Sequence, residues 1–142
     1  MGDFSTIRDG ILTMLRANSN FAASKANTAY FSAGLLETAP TRWAVVVSPG
    51  PIELTHTSYG PSSSIREDYT FILRSFIEVQ TTDQLATDSV TVIEAIISAW
   101  ETDVTLAASC NLSNLSLEAA DITALFDREW LMLEWRVVAI SL

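Results

Sequence analysis

Few side chains in this sequence are able to do chemistry, and their spacing gives little support to catalysis. One histidine, His56, and one cysteine, Cys110, stand beside 17 aspartates and glutamates. Paired carboxylates do general acid and base work, or hold a divalent cation, only where they converge in a shared pocket. Glu67, Asp68, Glu118, Asp121, Asp127 and Glu129 fall near the ends of expected strands, where a solvated rim is the plainer reading. A lone histidine makes no zinc site, and a lone cysteine makes no internal disulfide. Nothing basic flanks Cys110 to lower its pKa, so a quiet thiol is expected there rather than a nucleophile. His56 reads as a polar strand residue. No GxxxxGK, GxGxxG, GxSxG or HExxH is present. The expectation is a protein that is not an enzyme and carries no metal or cofactor.

Composition narrows the class further. A chain of 142 residues is the size of one domain and buries roughly two-thirds of the surface its unfolded form exposes. Eight lysines and arginines against 17 acids give a formal charge of −9, which argues against binding nucleic acid by neutralising phosphates. No basic start leads into an apolar run, so neither export nor membrane insertion is expected. The Met-Gly start with Thr6 has the outline of a myristoylation site, but Asp3 is unfavourable within it.

The elements that would position these groups centre on residues 66–100. From Tyr69, the residues Tyr69, Phe71, Leu73, Ile77 and Val79 share one side of a two-residue repeat, with Thr70, Arg74, Glu78 and Gln80 on the other. Ile72 and Phe76 make that second side partly apolar, so it is covered by another segment or by another subunit. About fourteen residues at ~3.3 Å each span roughly 46 Å, so part of this strand should overhang the domain. Thr81 and Gln84 form a capping box for a helix whose sheet-facing stripe reads Leu85, Ser89, Val92, Ile93, Ile96, Ile97 and Trp100, with Asp88 placed away from it.

Before that centre, Phe4, Ile7, Ile11, Met14 and Leu15 line one side of a helix over 3–18, capped by Asp3 or Ser5. Gly10 within it predicts close packing against a sheet. Residues 21–36 read as a loop. Trp43–Val47 is a short buried strand stopped at Ser48-Pro49-Gly50-Pro51, and residues 48–65 form a long mobile connection or a loose hairpin tip. After the central helix, residues 101–113 read as polar, 111–114 as a turn, and Leu115, Leu117 and Ala119 as the start of a strand. Asp127-Arg128-Glu129 is the expected hairpin connection to a last strand with Leu131, Leu133, Trp135, Val137 and Ala139 facing the core. On its other side Glu134 and Arg136 are available for cross-strand or inter-subunit pairs. The expected fold is α+β, an antiparallel or mixed sheet of four to five strands with two helices packed on one face. Trp43, Trp100, Trp130 and Trp135 either fill that core or line a small-ligand pocket between helix and sheet.

The order of elements, with REDYTF opening the long strand, TTDQLATDSVTVIEAIISAW forming the helix and REWLMLEWRVVAI closing the chain, resembles the tail terminators of tailed bacteriophages. This head–tail joining, or tail-completion, family implies a hexameric ring that caps the tail tube and joins it to the neck. The implied partners are other copies of the chain, the tail tube protein and neck or connector proteins, with DNA passing through unbound. The implied place is the virion's tail–neck junction, after synthesis in the host cytoplasm. On that resemblance, Pro49, Pro51, Glu53, His56, Tyr59 and Pro61 form the loop that contacts tube or neck. Glu53, Glu67, Asp68 and Glu78 are candidates to line an acidic lumen, and Ile72, Arg74, Phe76, Glu134 and Arg136 are candidates for the subunit interface. A neck adaptor, a tail tube subunit and a small-ligand or enzyme domain are the alternatives.

Overall fold

The computed structural model describes residues 4–22, 25–28, 42–49, 55–59 and 64–141. Along the chain these form α1 (Phe4–Arg16), a 3-10 turn at Ser19–Phe21, β1 (Ala26–Thr28), β2 (Trp43–Pro49), β3 (Thr55–Tyr59), β4 (Ser64–Glu78), α2 (Thr82–Thr102), β5 (Leu112–Leu125) and β6 (Arg128–Ser141). The fold is α+β. Its sheet runs β1-β2-β4-β6-β5, antiparallel throughout except for the parallel β1–β2 pair, and β3 also pairs with β4. The three-residue β1 lies within the stretch expected to be a loop.

β4 sets the geometry of the sheet. One edge pairs with β6 from Glu67 to Glu78. Along the other edge, β2 pairs with Phe71–Ile77 and β3 with Ser64–Asp68. Since Glu67 and Asp68 pair with β6 as well, β3 lies on the same edge as β2. Ser64–Arg66 therefore pair with β3 alone among the described strands, and this arm extends about 10 Å past the end of β6. The expected overhang is present, and the described part of the 48–65 connection is paired strand. Pro49 closes β2, while His56 and Tyr59 belong to β3. Pro51, Glu53 and Pro61 lie outside the described residues.

Strand alternation divides the apolar residues between two clusters. Ile7, Ile11 and Leu15 of α1 and Val92 and Ile96 of α2 join Val45, Val47, Phe71, Leu73, Ile77, Leu133, Trp135 and Val137 in the main core. Each such side chain contributes about 1.5–3 kcal/mol when fully buried. A second cluster, Val46, Phe76 and Trp130 with Leu125 and Met132, draws on strand residues alone. The partly apolar second side of β4 is thus covered at Phe76 from within the chain.

α2 begins as its sequence dictates, with the Thr81 hydroxyl accepting the Gln84 N–H at 3.1 Å. Its rotation differs from expectation. Asp88, Val92, Ala95, Ile96 and Ala99 are the buried residues, whereas Ile97 is exposed. Asp88 turns inward because Arg42, just before β2, meets its carboxylate with two guanidinium nitrogens.

Residues 103–110 form a turn that the sequence pattern does not announce. Leu106, Ala107 and Ala108 all have positive φ, at 52°, 57° and 61°. Left-handed backbone costs a non-glycine residue roughly 1–2 kcal/mol. Asp103 and Thr105 hold it: Ala107 N–H donates to Asp103 Oδ2 at 2.8 Å, and the N–H groups of Ser109 and Cys110 donate to the Thr105 carbonyl at 3.0 and 3.2 Å. Leu106 is buried, and the turn presses on α1 at Gly10. Gly10 therefore accommodates this turn, where packing against the sheet was expected.

β5 starts at Leu112, earlier than expected, and the turn into β6 is Phe126-Asp127, with φ of 54° and 58°. This two-residue left-handed turn matches the twist of the flanking strands, so it displaces the expected connection at Asp127–Glu129. A bulge between Leu117 and Ala119 leaves Glu118 as an extra residue on β5.

Candidate functional site

The residues singled out by sequence do not converge on one place. Arg74 and Glu134 are register partners on β4 and β6 and form an ion pair at 3.1 Å, next to the Ile72–Arg136 pair. These four share the side of the sheet that bears the second cluster. Phe76 is fully buried against Val46 and Trp130, which removes it from the residues open to a neighbouring subunit.

The carboxylates expected to line one lumen do not form one surface. Glu67 shares a face with Tyr69, whose hydroxyl donates to it, whereas Asp68 and Glu78 lie on the opposite face. Glu67 and Glu78 are also about 36 Å apart along β4, and Glu78 pairs with Arg128 at 3.3 Å. Glu53 lies outside the described residues.

The tryptophans act as packing residues. Their indole N–H groups donate within the chain: Trp43 to the Asn20 carbonyl, Trp100 to Ser113 Oγ, Trp130 to the Leu125 carbonyl and Trp135 to Ser75 Oγ, at 2.9, 2.9, 2.9 and 3.0 Å. Buried indoles need such partners. Trp43 also lies under Lys25 and Arg42, each 5.1 Å from its ring centroid. Burial, then the nearby Arg42 guanidinium, lowers the pKa of Lys25. Cys110 is half-buried and donates to the Thr105 carbonyl at 3.4 Å; burial is the main cause of its raised pKa. Among the described residues, no three of histidine, cysteine, aspartate and glutamate gather as a metal site would require. No described helix is long and apolar enough to cross a membrane.

Among the described strands, β1 and β5 end the strand order, and β5 is the longer of the two open edges. No described strand pairs with the outer edge of β5, and along its fourteen residues Leu112, Leu117 and Ile122 are 50%, 46% and 56% exposed. No protein-family model matches the sequence, and no curated protein matches it at a significant level. The assignment of a site therefore rests on this geometry.

The position of α2 explains why the face of the sheet near this edge is exposed. The helix begins beside the end of β4 and reaches β5 only at its far end, where Trp100 meets Ser113. Ser113 and Leu117 precede the bulge, and Ile122 follows it, paired with Leu131. The sheet around Leu117 and Ile122 is left uncovered on the helix side. On α2, Val90 and Ile97 are exposed on the flank that leads, at helical spacings of three and four through Ile93, to Trp100. Sequence reasoning placed a strand near Leu117 but gave no sign that it would be an edge.

Proposed function

We propose that this chain is a structural subunit that assembles through its sheet edges, and specifically a tail terminator whose ring caps a phage tail tube and joins it to the neck. The observation that supports this is β5: a fourteen-residue strand with an unpaired outer edge and exposed Leu112, Leu117 and Ile122. A long unpaired edge is a template for another chain; a bulge and the charges of Glu118 and Asp121 moderate this one, but no described segment covers it. The internal bonding of all four indoles favours this reading over a pocket lined by the tryptophans. The β3–β4 arm, extending past β6, is the part assigned to tube or neck, and the place of action is the virion's tail–neck junction.

Mixing purified protein with growing tail tubes, followed by electron microscopy and light scattering, tests this reading. A terminator forms one closed ring at a tube end and stops elongation. Open filaments of this chain alone would make it a tube subunit. A monomer or dimer that ignores tubes and binds a metabolite would return the reading to a ligand-binding domain.

A further inference from the structure

The whole formal charge of this chain comes from one stretch. Residues 75–127 contain nine aspartates and glutamates and no lysine, arginine or histidine, which equals the net charge of −9. The remaining residues balance. In the fold this stretch is the end of β4, α2, the left-handed turn and β5. The same stretch carries every large exposed apolar side chain among the described residues: Val90, Ile97, Leu112, Leu117, Ile122 and Phe126. Asp88 is buried against Arg42 and Glu78 pairs with Arg128, so seven of the nine acids remain beside these apolar side chains, and the molecule has one flank that is both acidic and apolar. A surface that only repels passing DNA has no use for exposed leucine and isoleucine, so this flank is built to meet protein.

The opposite flank differs. Arg8 and Arg16 on α1, Lys25 before β1 and Arg42 before β2 make up half of the eight basic residues, facing only Asp9 and the buried Asp88 among described acids there. α1 packs on α2 along one side and on β1 and β2 along the other, and Arg16 reaches the Ala26 carbonyl of β1 at 2.6 Å, so these cations border the β1 end of the sheet. β1 and β5 are the two ends of the strand order.

The geometry points to a head-to-tail contact in which the α2–β5 flank of one copy docks on the α1–β1 flank of the next. A symmetric contact through β5 would set acidic flank against acidic flank, and facing like charges are destabilising. The charge pattern therefore selects unlike flanks, and a contact between unlike flanks leaves each copy with one of each kind free. Such a contact propagates until rotation closes it into a ring. The aliphatic stems of arginine and lysine cover apolar surface while their charged ends meet Glu118 and Asp121. This inference deepens the ring-subunit reading and rests on it for closure at a fixed number of copies.

Charge reversal tests it in solution. Light scattering at low salt should show the full chain as a multimer. E118R with D121R, and separately R8E with R16E, should each reduce it to the 15.5 kDa monomer. An equimolar mixture of the two variants should recover assembly, as should one chain carrying all four reversals; a misfolded variant recovers neither. Circular dichroism matching the parent establishes folding. Wild-type protein that stays monomeric at every concentration and salt overturns the contact. Multimers unchanged by both reversals overturn it too, while leaving a ring built through other surfaces. Recovery accompanied by open filaments keeps the contact and overturns the terminator reading.

Discussion

Gly10 of α1 faces the carbonyl oxygen of Leu106, close enough that a β-carbon at position 10 would overlap it and stand 2.6 Å from Ser109 Oγ. Helix and left-handed turn are thus seated against each other through the missing side chain. Gly10→Ala gains helix propensity of about 1 kcal/mol but forces the turn outward, and overpacking of this kind costs about 1–3 kcal/mol. The backbone oxygen has little room to yield, so the net effect is a loss of about 1–2 kcal/mol. Urea unfolding measures it; a stabilised variant would contradict the packing described.

The turn itself gives the opposite sign. Ala107 and Ala108 are exposed and left-handed, so replacing either by glycine removes steric cost without removing a packed group. Against this, glycine gives the unfolded chain more freedom. Each substitution is expected to stabilise by about 0.5–1 kcal/mol, seen as a higher unfolding midpoint, with the pair close to additive. Leu106→Gly should destabilise, because Leu106 is a core residue despite its φ.

Arg42 and Asp88 join the start of β2 to α2. Asp88 is 1% exposed and Arg42 47%, so the pair is half-open and weaker than a fully buried one. Arg42→Ala leaves the buried carboxylate without its guanidinium and should cost about 2 kcal/mol. Asp88→Asn combined with Arg42→Ala should cost less than the sum of the single changes. A double-mutant cycle in urea reads this coupling, and simple additivity would mean that the pair contributes nothing.

Cys110 gives a pH dependence. Burial holds its pKa above the ordinary 9.0, so between those two values the folded chain binds a proton that the unfolded chain has released. Stability is therefore unaffected well below pH 9 and falls as pH rises through that window. The thiol should react with a disulfide reagent at pH 8 much more slowly in the folded protein than in urea. Equal rates would place Cys110 in the open.

How much of this was legible beforehand depends on the element. The alternation of β4 and β6 and the Thr81 cap of α2 were plain, because burial on one face writes period two and a hydroxyl cap writes its own position. Leu85, Ile93 and Trp100 of the expected α2 stripe do pack against the core, but Ile97 was misplaced because it outranks Asp88 on hydrophobicity alone, and only the tertiary partner Arg42 reverses that order. The left-handed turn was invisible since no glycine marks it, and β1 was too short to carry a period. The candidate surface was hidden for another reason. The gap in basic residues between Arg74 and Arg128 is present in the sequence, but its meaning depends on α2 and β5 sharing one flank.

Glu118 leaves β5 one residue longer than the stretch of β6 beside it. By strict alternation Leu117 and Ile122 would look to opposite sides; the extra residue lets both look the same way, paired with Trp135 and Leu131. A strand longer than its partner also bows, as the outer lane of a curved track is longer than the inner. In the head-to-tail contact proposed above, copies laid on such a bowed margin would not stack flat, and each addition would turn by the same angle. In the proposed assembly this single surplus residue would set the curvature, and deleting Glu118 would keep Leu117 and Ile122 on one side while straightening the edge that carries them.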